Sequence, residues 1–361
     1  MFVRESSAPK QEAWSKSVLC ERKSTTPRAS ALSHIAAGAA VSPQLLCPAV
    51  PALLDKRLIF VTGKGGVGKS TVATALGLLA AREGLRTVIA ELSSQERVQR
   101  LFEHDGEHFE EVELAPGLFT ISIDPEHAMD EYLRVKLGAL GHALGSSRMF
   151  HAFAMATPGM RELLSIGKVW ELAQLHRRTR GAAPYDLVIV DAPATGHGLG
   201  LLRTPKTFAD IARVGPIAHQ GRTIAATIAD HDFTGVVAVA TPEEMPVNET
   251  LSLSDSLVSE DLPLDVVVLN ALYPVRFAED EVGELEATLA RSRSQLSRSA
   301  LSAALSEHAR AETQREQLDR LRAGVNGRLV ELPFVFADHL GQAELERLAD
   351  ALGAGLNGAS R

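Results

Sequence analysis

The nine residues 63–71 constrain this chain more than any other stretch. Gly63-Lys64-Gly65-Gly66-Val67-Gly68-Lys69-Ser70 fits the pattern Gly-x4-Gly-Lys-[Ser/Thr], and Thr71 follows. A short apolar run, Leu58-Ile-Phe-Val-Thr62, leads in, and a helix-forming stretch, residues 68–82, leads out. Glycines in this setting let successive backbone N–H groups curl around an anion. The start of the following helix adds its positive dipole end. The segment is therefore expected to cradle a nucleoside triphosphate. Lys69 would reach the β- and γ-phosphates, and Ser70 would ligate Mg²⁺.

The rest of the chain fits the architecture that such a loop requires. Strands are expected at 58–62, 87–91, 118–123, 186–190, 235–240, 265–269 and 328–332, with helices at 68–82, 161–177, 242–258 and 279–322. Alternating strands and helices predict an α/β fold, a mostly parallel sheet flanked by helices on both faces. Residues 125 to about 182 are mostly helical and exceed what a plain crossover needs, which suggests a helical subdomain inserted in a nucleotide-binding domain at 56–361. Residues 1–55 are rich in Ser, Ala and Pro and are expected to be a disordered extension or sequence ahead of the true start. The Arg- and Ser-rich stretch 291–299 reads as a solvated helix face.

A second motif follows the strand Leu187-Val-Ile-Val190. Asp191 at its tip is placed to hold Mg²⁺ as a Walker B acid does. It opens the sequence Asp191-Ala192-Pro193-Ala194-Thr195-Gly196-His197. Together with the Lys-Gly-Gly-Val-Gly-Lys-Ser-Thr loop, this resembles the ArsA and tail-anchored-protein-targeting ATPase family, the deviant Walker A class of P-loop NTPases. The resemblance implies that Lys64 crosses a dimer interface to a partner's phosphates, as a trans-acting cation. It also implies that the segment around Gly196 senses the γ-phosphate. Asn270 ends a strand and can pair with the N7 and N6 edge of adenine. Ala271 and Tyr273 stand where a guanine site of the Asn-Lys-x-Asp type needs Lys and Asp, so ATP is favoured. The family's base-packing loop corresponds to Leu332-Pro333-Phe334, where Phe334 either faces the base or joins the core.

Departures from the family pattern matter too. Ser93 stands where the family carries the switch I aspartate, with Glu91 two residues earlier as the alternative carboxylate. After His197 the chain reads Gly198-Leu199-Gly200, where the family continues Thr-Leu-Arg. No cysteine lies in the region matching the arsenite site, since Cys20 and Cys47 both precede the first strand. Met129, Met149, Phe150, Phe153, Met155 and Met160 furnish the helical interval either with ordinary core or with a groove for a hydrophobic client. His104 and His108, four residues apart among acids, read as a solvated loop more readily than as a metal site.

A net charge of −8 argues against a sequence-independent nucleic-acid binder. Two cysteines and no Cys-x-x-Cys pair provide neither a disulfide framework nor zinc, which fits a reducing cytoplasm. The most apolar interval, 29–54, is broken by Pro43, Pro48 and Pro51, so membrane contact is expected to be peripheral at most. Three functions compete on these grounds. The leading one is an ATP-driven switch, homodimeric or heterodimeric, acting on a protein or ion client. The second is a weakly hydrolysing partner subunit. The third is a positioning ATPase of the MinD/ParA kind, which the Gly- and Ala-rich C-terminus disfavours because it offers no basic amphipathic helix.

Overall fold

The computed structural model describes residues 53–92, 97–103, 109–137, 156–177, 182–212 and 216–358. Eight strands form one sheet in the order β3-β4-β2-β5-β1-β6-β7-β8. They are β1 (Leu58–Gly63), β2 (Thr87–Glu91), β3 (Val112–Ala115), β4 (Leu118–Ser122), β5 (Leu187–Asp191), β6 (Thr234–Ala240), β7 (Val266–Leu272) and β8 (Arg328–Pro333). Every neighbouring pair is parallel except β3 and β4. Strand β3 was not foreseen. Its signal is the Pro116-Gly117 turn, with Gly117 at φ +80°, which folds the chain back into an edge hairpin.

The described helices are α1 (Lys69–Arg82), α2 (Arg97–Leu101), α3 (Pro125–Leu137), α4 (Met160–Leu172), α5 (Thr195–Ala212), α6 (Pro216–Ile228), α7 (Glu244–Ser259), α8 (Glu279–Arg291), α9 (Gln295–Gly324) and α10 (Gln342–Asn357). They cover both faces of the sheet, which is why the central strands read as continuous apolar runs. Ile59 and Val61 of β1 point into the core beneath α1 and α10. Leu58 and Phe60, on the alternate face, pack in the core shared with α4, α5, α6, α7 and α9.

One expectation is corrected. The single helix expected over 279–322 is broken at Ser292–Ser294, where Ser294 caps α9 by accepting a hydrogen bond from the Ser297 N–H. The Gly- and Ala-rich C-terminal residues continue a helix, α10, whose Leu345, Leu348 and Leu352 are buried. That helix spends its apolar face inside the protein. The first described element is a 3₁₀ turn, Leu53–Asp55, with Leu53 buried. In the helical interval α3 and α4 are described and Met129 is buried, while Met149, Phe150, Phe153 and Met155 lie outside the described residues. Ser93, His104, His108, Cys20 and Cys47 also lie outside them.

Candidate functional site

Strand β1 sits mid-sheet between β5 and β6, the strands that follow it after long excursions. The carboxyl ends of parallel strands at such a reversal open a crevice for ligands. The loop from Gly63 to Gly68 lies there. Gly63 has φ +148°, and a Cβ on it would stand 2.2 Å from the Val239 carbonyl oxygen, so only glycine lets β1 pass β6 at this point. Gly68, at φ +90°, lies so close to Asn270 that a Cβ would meet its Nδ2 at 2.4 Å. Helix α1 then starts without a side-chain cap, which leaves its first N–H groups directed into the crevice.

Beneath the loop, Ser70 Oγ donates to Asp191 Oδ2 at 2.5 Å. Strand registration puts Asp191 beside Val61 on one side and Glu91 on the other. Burial raises the Asp191 pKa, against the opposing effects of the Ser70 hydrogen bond and of the Lys69 and Arg97 charges. Its other oxygen, Oδ1, is buried with no hydrogen-bond partner among the described residues. Lys69, only 8% exposed, donates to the Lys64 carbonyl at 3.0 Å. Burial lowers its pKa, with Asp191 opposing and Arg97 adding to the effect. Sequence reasoning did not single out Arg97. Its side chain opens α2 four residues after Ser93, and its charge is felt by both Lys69 and Asp191.

The remaining expected residues fall at the same edge. Lys64 stands on the rim, its Nζ 2.9 Å from Glu249 Oε1 on α7, with both side chains about a third exposed. Asn270 donates from Nδ2 to the Val67 carbonyl at 2.9 Å, tying the end of β7 to the loop. Phe334 is not core. It stacks on Tyr273 at 4.6 Å and meets Phe336 edge-on at 4.9 Å, just beyond Pro333 at the end of β8. Glu91 is fully buried and accepts from the Val98 N–H at 3.1 Å, so its carboxylate caps α2. Among the described residues no group of three or more His, Cys, Asp or Glu is arranged to hold a metal ion.

The fold and this loop define a P-loop NTPase with a second lysine in its phosphate cradle. Residues 56–219 match the sequence model of the family described as anion-transporting ATPase. ATPase BagA of Mycobacterium tuberculosis is 32% identical over 252 residues, spanning 65% of this chain and 72% of the relative. ATPase GET3 of Candida glabrata is 27% identical over 261 residues, 62% of this chain and 74% of the relative. A putative arsenical pump-driving ATPase of Halobacterium salinarum is 25% identical over 241 residues, 63% of this chain and 36% of that longer relative. The chain belongs to the anion-transporting (ArsA) ATPase family. No helix among the described residues is long and apolar enough to cross a membrane.

Proposed function

We propose that this protein binds and hydrolyses ATP with Mg²⁺ in the cytoplasm, and that two subunits closing over their nucleotides switch a protein or ion client between bound and released states. The observation that carries this reading is the Ser70–Asp191 pair beneath the loop. It juxtaposes a hydroxyl and a carboxylate, and leaves Asp191 Oδ1 buried without a partner among the described residues. An all-oxygen donor set of this kind suits Mg²⁺. When bound, the ion neutralises charge on the β- and γ-phosphates. The chain's own groups supply the rest. The Gly65–Thr71 amides and Lys69 bind and orient the phosphates, Ser70 and Asp191 position the metal side, and Asn270, Pro333 and Phe334 flank the base.

Lys64 supports the two-subunit arrangement because it sits on the rim rather than inside the cradle. The exposed Met245, Val275, Phe336 and Leu340 add to it, since all lie in segments that follow β6, β7 and β8 at the same edge of the sheet. An apolar margin around a phosphate site suits closure against another protein surface. Identical and related partners both fit that margin. A hydrophobic protein is the client class the family resemblance favours.

A second reading, a slowly hydrolysing subunit, is favoured by one observation. Glu91 is buried and engaged as the cap of α2, where a general base must reach the attacking water. Calorimetric titration with ATP in Mg²⁺, followed by phosphate release at saturating ATP, tests both readings. Heat of binding with turnover supports the first, and binding without turnover supports the second. No heat on titration overturns both.

A further inference from the structure

Thr62 closes β1 immediately ahead of the phosphate loop and faces the layer that contains α5. It is 2% exposed, and its hydroxyl has no hydrogen-bond partner among the described residues. Opposite it stands Gly198, in the first turn of α5. A Cβ on Gly198 would lie 2.6 Å from Thr62 Oγ1 and 3.2 Å from the Pro193 carbonyl oxygen. A buried donor and a backbone acceptor thus border the same small space, at the root of the segment that follows Asp191. Ala194 of that segment also comes within 4.0 Å of the Cβ position of Gly65 in the loop. Folding gains nothing from this hydroxyl as it stands. A buried hydroxyl without a partner costs stability, and a methyl group of the same shape would not.

We infer that Thr62 is a positioning residue for ATP hydrolysis: its hydroxyl donates to the Pro193–Gly198 backbone when that segment closes on the γ-phosphate. The inference rests on the ATPase reading above. The hydrogen bond forms only in the closed arrangement, so its contribution belongs to turnover rather than to nucleotide binding. Gly198 leaves room for the approach, where any side chain would meet Thr62 first.

The test compares Thr62→Val, which keeps the shape and removes the donor, with Thr62→Ser, which keeps the donor. Thr62→Val is expected to melt at the same temperature as the parent chain or slightly higher, to bind ATP with unchanged Kd, and to lose about tenfold in kcat. Thr62→Ser is expected to retain most of kcat. Equal kcat in Thr62→Val and the parent overturns the inference, as does an equal loss in both variants, which would make the γ-methyl the active feature. A Thr62→Val chain that melts several degrees lower also overturns it, by showing a structural hydroxyl. Failure of the parent chain itself to bind ATP would instead sink the ATPase reading, so the two failures are distinguishable.

Discussion

Removing Lys64 separates a structural lysine from a functional one by magnitude alone. Among the described residues its ammonium pairs with Glu249, at 2.9 Å, and both side chains are about a third exposed. Pairs exposed to that degree contribute about 0–1 kcal/mol to stability. Unfolding entropy near 2.1 cal/mol/K per residue, over a domain of roughly 300 residues, converts this into at most about 2 °C of Tm. A cation supplied across an interface to the transferring phosphoryl group contributes roughly 10³–10⁵ in rate, or about 4–7 kcal/mol of barrier. Lys64→Ala should therefore melt within about 2 °C of the parent and bind ATP as tightly, because Lys69 and the α1 amides remain. Its turnover should fall by at least about a thousandfold and lose its dependence on protein concentration. The assay is steady-state phosphate release across a protein dilution series, with scanning calorimetry on the same samples. Turnover within about threefold of the parent would refute the trans-acting role, and a Tm loss beyond about 5 °C would show that the lysine holds the fold.

Other outcomes follow from the same geometry. Arg177, fully buried and paired with Glu111 and with Glu171 at 3.1 Å, should cost about 3–5 kcal/mol when replaced by Met, read by urea denaturation. Burial opposes ionisation of Glu111, but hydrogen bonds from Arg177 and Tyr185 hold its pKa below the ordinary 4.5. Its stabilisation is thus present above that pH and fades as pH falls through the folded value, so the gap between parent and Arg177→Met should narrow in acid. Asp191 has the opposite sign. Its raised pKa means that its ionisation destabilises the fold as pH rises through the folded value; if Asp191 holds Mg²⁺ as proposed, that binding should weaken as pH falls through it. The Tm increase produced by Mg²⁺ should therefore grow with pH, and Asp191→Asn should flatten that dependence. Removing residues 1–52 should preserve ATP binding by calorimetry. A cut after Lys56 loses the buried Leu53 and the Lys56–Asp265 ion pair at 2.5 Å, and should destabilise the chain by about 3–5 kcal/mol.

The parts of the site legible in the sequence were those with local signatures. The cradle could be read because its glycines and lysines are consecutive, and Asp191 because it ends a fully apolar strand. Asn270 could be placed at a strand end, but its bond to Val67 spans 203 residues of chain and leaves no sequence signal. Arg97 was missed for the same reason, since its relation to Lys69 and Asp191 exists only once β2 and β5 pair. Strand β3 was overlooked because a four-residue edge strand with a half-solvated face has little periodicity, although Pro116-Gly117 marked its turn. The break between α8 and α9 lay in three residues of a strongly polar run, where hydrophobic spacing is silent and only serine capping decides. Thr62 looked like one more apolar-strand residue. Its unpartnered hydroxyl is a property of what surrounds it.

Helix α10 has a consequence for how the protein is made. It lies along α1, with Leu79 filling the space beside Gly353 and Arg82 reaching Asp350 at 2.7 Å. The helix that begins at Lys69 is thus walled by residues that lie 268 positions further along the chain. A nascent chain stalled before Gln342 would expose Leu76 and its neighbours to chaperones instead of presenting a finished cradle to nucleotide. Synthesis itself would then act as a checkpoint, withholding ATP capture until α10 has emerged and docked.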